Sequence, residues 1–325
     1  MIGNEIHQLA RELWPINRSI TGEGVRETLK KISAHIPNLQ IKSVPSGTKV
    51  FDWTVPKEWS VKKAYIITPS GEKICDFSEN NLSLIGYSAS FKGNVNLSEL
   101  KKHLYTLPDQ PNAIPYITSY YEQRWGFCLS QKQFDSLENG NYEVIIDSKL
   151  FDGVLNYGEL FIKGKSEKEI FLSTYICHPS MANNELSGPT VVTFLTKWLQ
   201  EIGETNFSYR IIFIPETIGS ITYLSLNFDD MKNRIFAGFN VSCVGDNRAY
   251  SYVPSRNGNT LSDLAAKHVL KWTDPNFIEY SWLDRGSDER QYCSPGIDLP
   301  IASILRTKYG QYKEYHTSLD DLENV

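Results

Sequence analysis

From about residue 166 the chain alternates two kinds of segment. "EIFLSTYIC" is followed by "SGPTVVTFLTKWLQEI", "YRIIFIP" by "SITYLSLNF", "IFAGFNVSCVG" by "TLSDLAAKHVLKW", and "LPIASIL" closes the series. The first member of each pair is too continuously apolar to have a wet face, as a strand covered on both sides must be. The second repeats its apolar residues at three- and four-residue spacing, the helical period. Strands alternating with helices imply an α/β fold: a three-layer α/β/α arrangement around a mostly parallel mixed sheet. In such sheets, sites collect in the loops beyond the carboxyl ends of the strands.

The rest of the chain has a different grain. "EIHQLARELW" and "GEGVRETLKKISAHI" read as two helices separated by "PINRSITG". From residue 46 to 116, aromatic and β-branched residues alternate with polar ones between Gly and Pro, the mark of short antiparallel strands. "YEVIIDSKL" and "GELFIKG" follow as strands. The most economical division is one discontinuous domain, residues 1–45 and 117–325, carrying an inserted β-rich domain at 46–116.

Bulk properties narrow the function. The 325 residues carry a net charge of −5 and hold no Lys/Arg-rich run, which argues against a nucleic-acid or anionic-membrane partner. The start lacks the basic-then-apolar pattern of a signal peptide, and no apolar stretch reaches spanning length. Five scattered Cys without CxxC spacing suggest reduced thiols and a cytoplasmic protein.

Four strand ends carry polar residues suited to chemistry: His178, Glu216, Asp246 and, through "RTKYGQYKEYHTS", His316. Two His with carboxylates at an open sheet edge form the ligand set of a catalytic zinc site, and a carboxylate left off the metal can act as general base. Taken singly, each residue is more often structural; a Glu before a helix merely favours the dipole. Their joint placement carries the argument. A Ser-His-Asp site is weaker, because there is no G-x-S-x-G. Cys177 beside His178 is disfavoured as a pair, because neighbouring strand residues point to opposite faces.

The order of these stretches resembles the zinc aminopeptidases with co-catalytic metal ions. "LWPINRSITGEGVRETL", "CHPSMANNELSGP", "PETIGSI" and "YHTSLDDL" resemble more closely the bacterial aminopeptidase-like proteins associated with polysaccharide biosynthesis. The resemblance implies an aminopeptidase-like domain with a β-rich insertion and a C-terminal winged-helix-like domain absent from this sequence. His178 and His316 match the first and last metal ligands of the aminopeptidase pattern, and Glu216 matches its general base. Asn184 stands where a bridging Asp is usual, Thr217 where a second Glu is usual, and Ser242 where another Asp is usual. Without those carboxylates the pattern implies one zinc ion, with a second left open.

Glu185 is the first choice for the missing carboxylate and Asp246 the second, as ligand or as a partner orienting a His ring. Arg18, Arg290 and Tyr292 are candidate substrate-binding residues. The aromatic cluster Trp53, Trp59, Tyr120, Tyr121 and Trp125 either stacks on a sugar ring or forms a core. The implied function is a zinc-dependent, aminopeptidase-type hydrolase acting on a small peptide. The alternatives are an amidase or deacylase acting on an amino-sugar-like substrate, and a degenerate binding module. Self-association into a homo-oligomer remains open.

Overall fold

The computed structural model describes residues 2–323. Its centre is an eight-stranded mixed sheet in the spatial order Gln40–Pro45, Val154–Ile162, Phe207–Ile214, Ser166–Tyr175, Ile235–Asn240, Ile301–Leu305, Ser251–Val253, Ile278–Glu279. The four central strands, from Phe207–Ile214 to Ile301–Leu305, run parallel. Antiparallel pairs flank them.

The strand Phe207–Ile214 shows why its sequence is a continuous apolar run. Ile211 and Phe213 pack on one face with Val192 and Leu199 of helix Ser187–Glu201 and with Leu29 and Ile32 of helix Glu23–His35. Ile212 and Ile214 pack on the other face with Ile221, Leu224 and Met231 of helix Ile218–Arg234. Each such side chain contributes about 1.5–3 kcal/mol by leaving water. The molecule therefore has three layers, α/β/α.

This layering also fixes where a cleft must open. The connection after Ser166–Tyr175 goes to the face covered by helix Ser187–Glu201, and the one after Phe207–Ile214 goes to the opposite face. The two strands are neighbours, so their chain exits diverge and leave a crevice at their carboxyl ends. His178 and Glu216 are the residues that follow them.

A second sheet is built from Lys73–Ile74, Glu58–Ile67, Asn141–Phe151 and Phe91–Asn96, in that order and all antiparallel. Asn141–Phe151, which the sequence suggested for the main domain, is an inner strand of this smaller sheet. The chain rejoins the large sheet at Val154, which lies directly opposite Pro45. Residues 46–153 thus leave and re-enter through one antiparallel pair. Trp59 is buried within this unit, and Trp125 stacks on Phe91 at 4.2 Å. Among the described residues, no helix is long and apolar enough to cross a membrane, and the five Cys are free and buried.

Candidate active site

Beyond Tyr175 the chain leaves the sheet and winds a π turn over Ala182–Leu186 that runs directly into helix Ser187–Glu201. Such turns concentrate at functional positions. Its leading N–H groups, those of Asn183 and Asn184, donate to the two carboxylate oxygens of Asp320 at 2.7 and 2.9 Å. Gly188 lets the helix start hard against the sheet: a Cβ there would lie 2.5 Å from both Thr174 Oγ1 and Val241 O.

This turn delivers His178. Its Nδ1 lies 2.9 Å from Glu185 Oε2, and its Nε2 lies 3.7 Å from Glu216 Oε2. The other Glu185 oxygen is 3.5 Å from Arg18 Nε, which donates to the His178 carbonyl at 2.9 Å. Arg18, Glu185 and His178 form a buried chain of charges. Burial alone would lower the His178 pKa, but Cys177 and Glu185 reverse this and hold it well above the ordinary imidazole value. Burial pushes the Cys177 thiol up to about 11. The thiol is therefore neutral near pH 7, and Glu185 is the group that keeps a proton on Nδ1.

Glu216 follows the neighbouring strand. Ile218 N–H donates back to Glu216 O at 2.8 Å, and Thr217 has φ 63° and ψ −77°. This is the rare γ-turn with positive φ, a strained form. The segment "SDER" secures it. Asp288 Oδ1 accepts from Thr217 N at 2.7 Å and Ser220 Oγ at 2.8 Å, and Arg290 Nη2 donates to Thr217 Oγ1 at 3.1 Å. Ser287 Oγ donates to Glu216 Oε1 at 2.8 Å. Burial raises the Glu216 pKa. Burial, reinforced by the charge of Glu216, pushes Asp288 up to about 8.

His316 completes the group from the far end of the chain. Its backbone is left-handed at φ 56°, and its carbonyl accepts from Tyr116 N at 2.8 Å. Its ring stacks on Tyr315 at 3.9 Å and lies 5.4 Å from the ring of His178. Its Nε2 is buried without a partner. Burial, aided by His178, lowers its pKa to about 3, which leaves a neutral imidazole with a free lone pair.

A cavity of about 250 Å³ opens here, floored by Cys177, His178, Glu216 and Thr217. Ile20, Trp53, Pro56, Tyr120, Tyr121 and Ile218 wall it.

The structure brings His178, Glu185, Glu216 and His316 together, and holds Arg290 near the rim through Thr217. It does not bring Asp246 to them. That carboxylate accepts from Asn183 Nδ2 at 2.8 Å, Arg248 N at 2.9 Å and Thr307 Oγ1 at 2.8 Å, and so ties the π turn to the last strand's exit. Tyr292 is also elsewhere: fully buried, bonded to Ser173 Oγ at 2.8 Å and packed edge-on against Phe171, it belongs to the sheet face. Arg18 lies behind His178, 1% exposed, and orients it instead of meeting substrate.

The Cys177–His178 contact runs against the sequence argument. Sγ is 3.4 Å from Nδ1, because strand alternation ends at Tyr175. Cys177 and Glu185 address the same nitrogen, so this is not a nucleophile–base–orienter relay, which needs both ring nitrogens. Asp288, Ser287, Tyr116 and Asp320 escaped the sequence reading. Ser287 and Asp288 lie in "SDERQY", from which Arg290 and Tyr292 were taken, and Asp320 lies in "YHTSLDDL", from which His316 was taken.

Glu185 holds Nδ1 of His178, which leaves its Nε2 and the partnerless Nε2 of His316 as imidazole donors; among the described residues the ligand atoms of Cys177, His178 and Glu185 lie within 4.8 Å of one another, and thiolate, imidazole and carboxylate are all zinc-type donors. Where a bridging carboxylate would sit, Asn184 offers only an unpartnered amide oxygen; Ser242 likewise has a buried hydroxyl with no partner.

Fold and site together define an aminopeptidase-like α/β/α protein. The zinc aminopeptidase BSAP from Bacillus subtilis superposes with a TM-score of 0.68 at 11% identity, over 100% of this chain and 89% of that one, a likeness of fold. The chain belongs to the family described as "Domain of unknown function (DUF4910)", whose model matches residues 7–325. A Clostridium acetobutylicum protein, provisionally named a polysaccharide biosynthesis protein with aminopeptidase-like domain, is 50% identical over 320 residues, covering 98% of this chain and 73% of that protein. A crystal structure from the same organism, provisionally a peptidase, matches with a TM-score of 0.96 at 49% identity, over 99% of this chain and 76% of that one.

Proposed function

We propose that this chain is a zinc-dependent hydrolase of aminopeptidase type, cleaving an amide bond in the crevice between His178 and Glu216. The observation that carries the reading is Glu216 itself. It is a carboxylate whose pKa is raised by burial, fixed by Ser287 and a strained turn, and set 3.7 Å from a histidine at the floor of a cavity. A carboxylate raised towards the working pH is suited to take and return a proton. The aminopeptidase name of the Bacillus subtilis structure and the peptidase name of the Clostridium acetobutylicum one support the same class.

His178 and His316 would hold the ion through their Nε2 atoms; bound there, zinc supplies an acidified water and polarises a carbonyl. The chain's own residues do the rest. Glu185 fixes the ring and tautomer of His178, and Arg18 balances the charge of Glu185. Glu216 accepts the proton from the attacking water and returns it to the leaving nitrogen. Arg290 at the rim is available for a substrate carboxylate. In this reading residues 46–153 form the insertion, since Pro45 and Val154 face each other.

Glu216→Gln keeps the size and the Ser287 contact but cannot accept a proton. Turnover of aminoacyl amides should fall about 10²–10⁴-fold while the zinc content of the purified protein is unchanged. Loss of the metal would make Glu216 a ligand, and unchanged turnover would remove it from the mechanism.

A further inference from the structure

The aromatic cluster of the insertion divides in two. Trp59 and Trp125 only pack, whereas Trp53, Tyr120 and Tyr121 line the cavity above Glu216, Trp53 and Tyr120 resting on the core behind it. Trp53 and Tyr121 form a pair with ring centroids 5.6 Å apart, tilted by 60°, and Tyr121 is 78% exposed. The hairpin that carries Trp53, Lys49–Val50 against Trp53–Thr54, closes through Phe51 at φ 55°, a backbone form that bulky residues rarely take. Strain of this kind persists where surrounding structure demands it, and it clusters at ligand clamps.

We infer that this aromatic lip makes the insertion the specificity element of the site, selecting a substrate whose group beside the scissile amide is a large, uncharged, apolar ring. The inference rests on the amide-hydrolase reading for the position of that amide. Two features favour an apolar ring over a sugar. The walls are aromatic or aliphatic: Ile20, Trp53, Pro56, Tyr121 and Ile218. Three of the lining hydroxyls already have a partner. Thr54 Oγ1 accepts from Lys49 Nζ at 2.7 Å, Thr217 Oγ1 from Arg290 at 3.1 Å, and Tyr120 OH pairs with Tyr116 OH at 3.1 Å. A sugar would bury several of its own hydroxyls against these apolar walls, which is costly. The volume, about 250 Å³, lies below the range of roughly 300–1,000 Å³ that encloses drug-sized ligands and suits one ring with its amide.

Calorimetric titration of the purified protein with L-phenylalaninamide, L-alaninamide and N-acetyl-D-glucosamine tests this. The phenyl amide should bind at least about tenfold more tightly than the alanyl amide, as burying a ring in place of a methyl implies. The preference should fall to about twofold or less in the W53A/Y121A double variant and return in W53F; Tyr121 is exposed and Trp53 half-buried, and far-ultraviolet circular dichroism checks that the variants fold. Equal binding of the two amides, binding of neither, or tighter binding of the amino sugar would overturn the inference. E216Q separates this from the hydrolase reading, because it should keep the ring preference while losing turnover. If E216Q turns over normally and the preference remains, the base assignment fails and the lip stands.

Discussion

Two clusters of polar side chains lie beyond the carboxyl ends of the central strands, and they differ in how completely their atoms are satisfied. In the cluster of Asn183, Asp246, Thr307 and Asp320, every carboxylate oxygen accepts a hydrogen bond, and both amide atoms of Asn183 are engaged. In the cluster of His178, Glu185, Glu216, Asp288 and His316, three atoms stay buried without a hydrogen-bond partner: His316 Nε2, Asp288 Oδ2 and Glu185 Oε1, the last facing only its ion-pair partner Arg18 at 3.5 Å. Leaving such a group unpaired costs about 1–3 kcal/mol, so a fold keeps it only for a reason. The first cluster locks the loops together, and the second keeps unpartnered atoms around His178 and Glu216, which floor the cavity. The difference separates scaffold from site where residue type does not, since Asp246 and Glu185 looked alike as candidates.

The comparison is broken most forcefully at Glu185. Removing it leaves Arg18 and a protonated His178 buried without their counter-charge. Glu185→Ala should cost about 3–5 kcal/mol in denaturant unfolding, the usual loss when one partner of a buried pair is deleted. A cost under 1 kcal/mol would mean that the chain of charges is not the support of His178.

A smaller effect sharpens the account of Asp288. Its folded pKa, about 8, lies above the ordinary Asp value of 3.8. Below the lower value both states carry the proton and nothing is lost. Between the two, the folded state holds a proton that the unfolded state has released, so stability falls as pH rises. Asp288→Asn keeps the acceptor for Thr217 N–H but does not ionise. The variant should therefore gain stability relative to the native protein between pH 5 and pH 7, by at most about 1.4 kcal/mol per unit. A difference that is flat across this window would show that Asp288 is ionised and paired.

Much of this was legible in the sequence, for physical reasons. A strand buried on both faces must be apolar throughout, which is why "YRIIFIP" announced Phe207–Ile214. His178 and Glu216 were legible because a polar residue directly after such a strand can only lie at the sheet edge. Asp246 sits at a similar edge, but its partner Asn183 is 63 residues away, and no local pattern reveals that its oxygens are taken. Tyr292 shares a short stretch with Asp288, yet the helix Glu289–Tyr292 turns its side chain into the core. Asn141–Phe151 alternates as any half-buried strand does, and alternation does not say which sheet it joins. Cys177 was misjudged because the two-residue period was extended past the end of its strand.

The central claim is that the unsatisfied cluster, and not the saturated one, holds a single metal ion. Zinc content per chain should be measured by elemental analysis on the native protein and on the His316→Ala and Asp246→Ala variants. The account predicts about one zinc in the native protein, none in His316→Ala, and about one in Asp246→Ala despite its loss of stability. No zinc in the native protein after zinc is supplied, or loss of the metal with Asp246 and not with His316, would contradict it.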